Sequence, residues 1–142
     1  MTVYAQIIGA MVTALQQAPA VSANVFRART RPVAEQATDA VVVRPLTSDF
    51  EYFAVRGAPM NADTRVAVEC YARSSTLTPD AAVDTLMGAA YARLMADPTL
   101  GGLVSDVLIE ALNYDFDEEA QRMACVTFTL LVRHRTAALT LE

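Results

Sequence analysis

Few residues in this chain can do chemistry, and their spacing limits what that chemistry could be. A single histidine, His134, lies between Arg133 and Arg135. Any Ser-His-Asp or Cys-His centre would have to be built on it. It shares strand parity with Val126, Phe128, Leu130 and Val132, so its expected place is the fraying end of a core face. The two flanking arginines, if close, are expected to keep it neutral by repulsion. Cys70 and Cys125 each sit inside an apolar run and read as buried free thiols. A disulfide between them requires that their strands be neighbours. No CxxC or Cys/His spacing points to zinc.

Two charged groups remain. Asp115, Asp117, Glu118 and Glu119 form the one dense carboxylate cluster. Calcium favours several such oxygens, but the Gly and distant Glu of an EF-hand loop are missing, and no phosphate-binding loop accompanies the acids. A solvated hairpin tip is expected. Arg27, Arg29 and Arg31 share parity and would project from one strand face. Nucleic-acid contact, ion pairing with acids of a neighbouring subunit, and a solvated edge that resists aggregation are the three readings. A net charge of −5 and the lack of interleaved aromatics favour the last two. On the ion-pairing reading, the candidate subunit-contact residues are Arg27, Arg29 and Arg31 on one side, with Asp115, Asp117 and Glu118 on the other. No catalytic residue, cofactor or metal is expected, and the chain reads as non-enzymatic.

The elements that must position these groups follow from periodicity. Residues 3–16 repeat apolar positions at three- and four-residue steps (Tyr4, Ile8, Met11, Val12, Leu15), which predicts an amphipathic helix with Thr2 as N-cap and Pro19 beyond its end. Residues 25–30 alternate as a strand that Pro32 ends, and 33–40 read as a loop. Residues 40–44 are a continuous apolar run typical of a strand buried on both faces, closed by Pro45. Residues 50–56 suggest a further strand broken at Gly57-Ala58-Pro59. The segment 65–73 alternates clearly, with Val66, Val68 and Cys70 on one face and Arg65, Glu69, Tyr71 and Arg73 on the other.

A helix near 79–96 is strongly signalled: Thr78 can cap it, Pro79 fits the first turn, and Asp80 suits the positive helix end. Val83, Leu86, Met87, Ala90 and Leu94 form its stripe, and Asp97-Pro98 ends it. Gly101-Gly102 then turn the chain, with an anion nest a weaker reading than a turn. Residues 104–116 and 123–135 read as strands. Strands clustered between helices, instead of alternating with them, predict an α+β fold: a mainly antiparallel twisted sheet of about five strands packed with two helices, in one domain spanning 1–142.

Composition agrees with a packed, soluble chain. At 142 residues the chain is long enough to bury roughly 68–70% of its unfolded surface. Its hydrophobic content is 54%, mostly small Ala and Val, with no Trp. An Ala-rich genome and a subunit that buries surface against its own copies both account for that. All eleven cations are Arg, whose planar guanidinium suits interface pairing. The N-terminus lacks a basic n-region, and no run approaches the ~20 apolar residues that cross a bilayer, so a cytoplasmically made protein without a membrane partner is expected.

The order of segments resembles the bacteriophage tail terminator proteins of the minor tail protein U type, also found in prophages. The resemblance rests on the N-terminal helix, AVVVRP (40–45), RVAVECYAR (65–73), the Thr-Pro-Asp-capped helix, DPTLGG (97–102) and the long C-terminal strand. It implies a structural role: a ring, usually a hexamer, on the head-proximal end of the tail tube. Such a ring stops tube polymerisation and provides the head-joining surface. The partners implied are other copies of the chain, the tail tube protein and the head–tail connector protein, in the virion tail. No sequence-specific nucleic acid is implied. A head-closure or neck component is the alternative, and a small ligand- or metal-binding domain a more distant one. Residues 32–39 and 56–64 are loop candidates.

Overall fold

The computed structural model describes residues 1–28, 37–52, 57–74, 76–117 and 123–142. Helix α1 (Val3–Gln16) is followed by β1 (Val25–Arg27), β2 (Asp39–Glu51), β3 (Met60–Arg73), α2 (Pro79–Met95), β4 (Asp106–Asp117) and β5 (Met123–Thr136). The five strands form one sheet in the order β1-β2-β3-β5-β4. Every pairing is antiparallel except β1 with β2. The α+β architecture expected from the sequence is the one observed.

The core lies between the helices and one face of the sheet. Val66, Val68 and Cys70 of β3 and Val126, Phe128, Leu130 and Val132 of β5 point to it, each fully buried. Period-two alternation puts these residues on one side, and cross-strand partners share that side. Ile7, Met11 and Leu15 of α1 and Val83, Ala90 and Leu94 of α2 close it from above. α1 lies over β1 and β2, and α2 over β3 and β5. The helices are also tied end to side: Arg93 of α2 donates to the carbonyls of Ala14, Gln17 and Pro19 at 3.1, 2.6 and 2.6 Å. A cation at a helix C-terminus satisfies carbonyls that have no intrahelical partner.

Several expectations from the sequence are corrected here. β1 stops at Arg27, because Ala28 takes φ +43° and its N–H turns to the carbonyl of Val43. Pro45 does not end β2. The strand runs on to Glu51, with the register shifting between Pro45 and Thr47. A bulge is where a strand accommodates a residue without an N–H. Phe50 and Glu51 thus complete β2 instead of opening a new strand, and 60–64, read as loop, are the first residues of β3. Thr78 occupies the N-cap of α2 but makes no capping hydrogen bond. Its hydroxyl instead bonds Asp80, whose carboxyl is held below the usual range by that contact first and by the Ala81 amide second.

The turn after α2 is a closed network. Asp97 accepts from the Thr99 amide (3.0 Å), the Thr99 hydroxyl (2.6 Å) and the Gly101 amide (2.7 Å). Gly102 donates to Thr99 Oγ1 at 3.1 Å. Gly101 and Gly102 take φ +73° and +87°, a region that favours glycine. The amides an anion would need are therefore already engaged, and the turn reading stands.

Candidate functional site

His134 is the first group to place. It is 3% exposed, under α1, with Nε2 2.7 Å from Thr64 Oγ1. Thr64 in turn lies 2.9 Å from Ser48 Oγ, which lies 3.3 Å from the Tyr4 hydroxyl. The Tyr4 ring meets His134 edge-on, with ring centroids 5.3 Å apart. Four elements thus contribute one connected polar group each. Buried polar groups are kept in a core at little cost when each has a partner. Burial lowers the pKa of His134, with the Arg135 carbonyl and Asp63 opposing in that order. The neutrality expected from Arg133 and Arg135 has a different cause: both side chains lie exposed on the other face, and desolvation acts instead. His134 is not a fraying end. A hydroxyl beside a histidine is the beginning of a nucleophilic site, yet Thr64 is only 3% exposed and the hydroxyls bond one another. The geometry is that of a satisfied core network.

The cysteines occupy neighbouring strands, and still they cannot pair. Tyr71 is opposite Cys125 and Cys70 opposite Val126, so the two thiols leave opposite faces of the sheet. Both are free. Cys70 is buried and burial pushes its thiol up to about 12. Cys125, expected to be buried, is half-buried on the helix-free face.

That helix-free face carries a ladder of ion pairs. Arg65 of β3 bridges Asp49 of β2 at 2.7 Å and Glu110 of β4 at 2.9 Å. Arg44 pairs with Glu69 at 2.9 Å, and the Tyr71 hydroxyl donates to Glu69 at 3.1 Å. Exposed pairs of this kind contribute little each. Their effect is to keep the face polar. The alternation of 65–73 revealed the charged parity, but the partners lie on other strands at no fixed sequence distance.

β4 differs from every other long strand. It ends the sheet, so one row of its backbone groups is unpaired within the sheet. A bulge between Ile109 and Ala111 turns Glu110 towards Arg65. Beyond it, Leu112, Tyr114 and Phe116 lie opposite Phe128, Val126 and Ala124, on the helix side. Those three partners are fully buried, while Ile109, Leu112, Tyr114 and Phe116 remain 47, 43, 49 and 47% exposed. Tyr114 and Phe116 stack on each other, with centroids 6.0 Å apart. With Asp80, Ala81 and Asp84 of α2 they line a concavity of about 520 Å³. Sequence reasoning read 104–116 as a strand but gave no sign that its apolar parity was uncovered.

Of the residues named from the sequence as subunit contacts, the three described ones, Arg27, Asp115 and Asp117, fall on the two outer strands of the sheet. Arg27 ends β1, exposed, and its guanidinium donates to the Ala5 carbonyl at 3.2 Å. Asp115 lies on β4, exposed, opposite Cys125. Asp117 ends β4. Its side chain, and Arg29, Arg31 and Glu118 entirely, lie outside the described residues, as do most of 32–39 and the 53–56 segment. Arg27 and Asp115 are thus on opposite edge strands and do not meet within one chain. Among the described residues no three His, Cys, Asp or Glu side chains gather as a metal site would need. No described helix is long and apolar enough to cross a membrane.

No protein-family model matches the chain, and no curated relative matches it. Among solved structures it is similar to a chain from the virion of a native gene transfer agent particle. That likeness covers 94% of this chain and 92% of the other, with a TM-score of 0.39 and 16% identity, too slight to carry function across.

Proposed function

We propose that this chain is a structural, non-enzymatic phage assembly protein that forms a closed ring, a hexamer by its resemblance, on the head-proximal end of a tail tube. In that position it ends tube-protein polymerisation and offers the surface to which the head–tail connector joins. It belongs, on this reading, to the virion tail and is made in the bacterial cytoplasm. One observation carries the reading. Of twelve exposed large hydrophobics among the described residues, eight lie on or beside the two ends of one open sheet. Leu108, Ile109, Leu112, Tyr114 and Phe116 are on β4, and Leu46, Phe50 and Tyr52 on or directly after β2. Two different sticky surfaces on opposite sides of a subunit favour head-to-tail contact, which closes into a ring when the rotation permits. The segments that carry the resemblance support the same role, since they occupy β2, β3, α2, its turn and β5 in order.

Particles made without this protein test the role by electron microscopy. Tails longer than normal support termination. Normal-length tails separated from heads would overturn it in favour of a neck component.

A further inference from the structure

We propose that the subunit seam runs from the β4 edge of one copy to the β1–β2 edge of the next, with the Tyr114–Phe116 concavity at its centre. This rests on the ring reading above, and moves the seam from the paired charge clusters expected from the sequence to an apolar strand edge rimmed by charge.

Three observations converge on a second copy as the occupant. The first is the edge itself. β4 has twelve residues and, among the described residues, no neighbouring strand on one side. Natural edges of this length are blunted by charged side chains, Pro, inward charges or bulges. β4 has a bulge between Ile109 and Ala111 and acids on its helix-free parity, but its helix-side parity after the bulge is Leu112, Tyr114 and Phe116, with no charge or Pro among them.

The second is charge. Asp80 and Asp84 line the concavity, and neither makes an ion pair among the described residues. On the far edge Arg27 contacts a backbone carbonyl and, among the described residues, no carboxylate. An acidic rim at one end of the sheet and a guanidinium at the other, neither in an ion pair among the described residues, complement each other between copies.

The third is apolar matching. β1 pairs with only residues 41–43 of β2, and the continuation of β2 carries exposed Leu46 and Phe50. An aromatic-centred patch with a charged rim is the anatomy of a protein interface. The surfaces at the two ends differ, so the contact is heterologous and uses both ends of every subunit.

Two variants test this, because a head-to-tail seam predicts how they behave when mixed. Tyr114→Asp places a charge in the concavity, and Leu46→Asp does so on the opposite edge. Both positions are roughly half exposed, and thermal unfolding checks that each variant folds. Leu112→Ala replaces Tyr114→Asp if that variant does not. Sedimentation of the wild type should give a closed oligomer. Each variant alone should sediment as monomer, its association weakened roughly 30-fold or more. An equimolar mixture of the two should stop at a dimer, since each mixed pair retains one intact seam and no free intact end.

A folded β4 variant that keeps the wild-type oligomer overturns the seam and leaves the ring reading standing. Loss of association in Tyr114→Asp but not in Leu46→Asp means β4 meets β4, which overturns head-to-tail contact. A wild type that stays monomeric, with and without tail tubes, overturns the ring reading and the seam together. A wild type monomeric alone, but lost from tubes on Tyr114→Asp, assigns the edge to the tube protein and overturns the seam.

Discussion

β5 and β4 are adjacent strands with the same apolar parity on the same face, yet they do opposite things. Phe128 of β5 is fully buried and stands directly opposite Leu112 of β4, which is nearly half exposed. The Phe128 ring is met edge-on by Tyr91 of α2, with centroids 5.9 Å apart. Leu112 lies one strand farther out. Alternation therefore declares which face of a strand is apolar. What covers that face depends on where the helices lie, and here the cover reaches Val107 at the start of β4 but not Ile109, Leu112, Tyr114 and Phe116 beyond it. A centre built for folding passes without a break into an edge with apolar surface to spare.

The sharpest way to break this comparison is to truncate both partners of one cross-strand pair. Phe128→Ala should lower unfolding free energy by about 3–5 kcal/mol, the usual cost of an aromatic cavity in a closed core. Urea denaturation reads it. A loss below about 1 kcal/mol would mean the two strands are equivalent after all.

A proton tests the centre by a second route. Burial lowers the pKa of folded His134, so the unfolded chain binds a proton first as pH falls. This contribution to stability is complete above the unfolded histidine value of about 6.5 and is lost below it, at up to about 1.4 kcal/mol per pH unit until the folded group titrates. Denaturation midpoints measured from pH 8 to 5 should fall accordingly. In His134→Gln that fall should flatten, whatever the variant's absolute stability.

The turn that delivers β4 to the edge gives a smaller effect. Gly101→Ala and Gly102→Ala should each cost about 1–2 kcal/mol, from backbone conformation alone, because an added Cβ meets nothing within 4 Å at either position. Gly88, inside α2 and equally open, supplies the control: Gly88→Ala should stabilise by about 0.5–1 kcal/mol. Thermal melts of the three variants order them. Least of all, Leu112→Ala should change monomer stability by less than about 1 kcal/mol, since half its surface is already in water. A core-sized loss there would show that β4 is part of the closed interior.

Much of the architecture was legible because local signals agree with the global fold. The α1 stripe, the β3 parity and the α2 stripe each name residues that the structure buries. Pro45 misled because a proline usually ends a strand, and here a bulge absorbs it. Tertiary pairing, which no single segment encodes, also set the extent of β1 and the start of β3. The candidate site was less legible. Asp115 and Arg27, named for their charge alone, fall on the two outer strands of the sheet. Leu112, Tyr114 and Phe116 sit in the sequence like any other strand interior. Only the strand order, with β5 inserted between β3 and β4, makes them an edge.

The placement of Cys70 and Cys125 on opposite faces of adjacent strands has a practical consequence. The sheet acts as a partition between two thiols that cannot reach each other, so each reports on its own side. Cys70 will react only when the sheet and helices separate. Cys125 is within reach of a small alkylating reagent in the native chain. The ratio of their modification rates is thus a built-in gauge: a subunit that loosens quickens Cys70, whereas a surface covered during assembly on the helix-free side slows Cys125 alone.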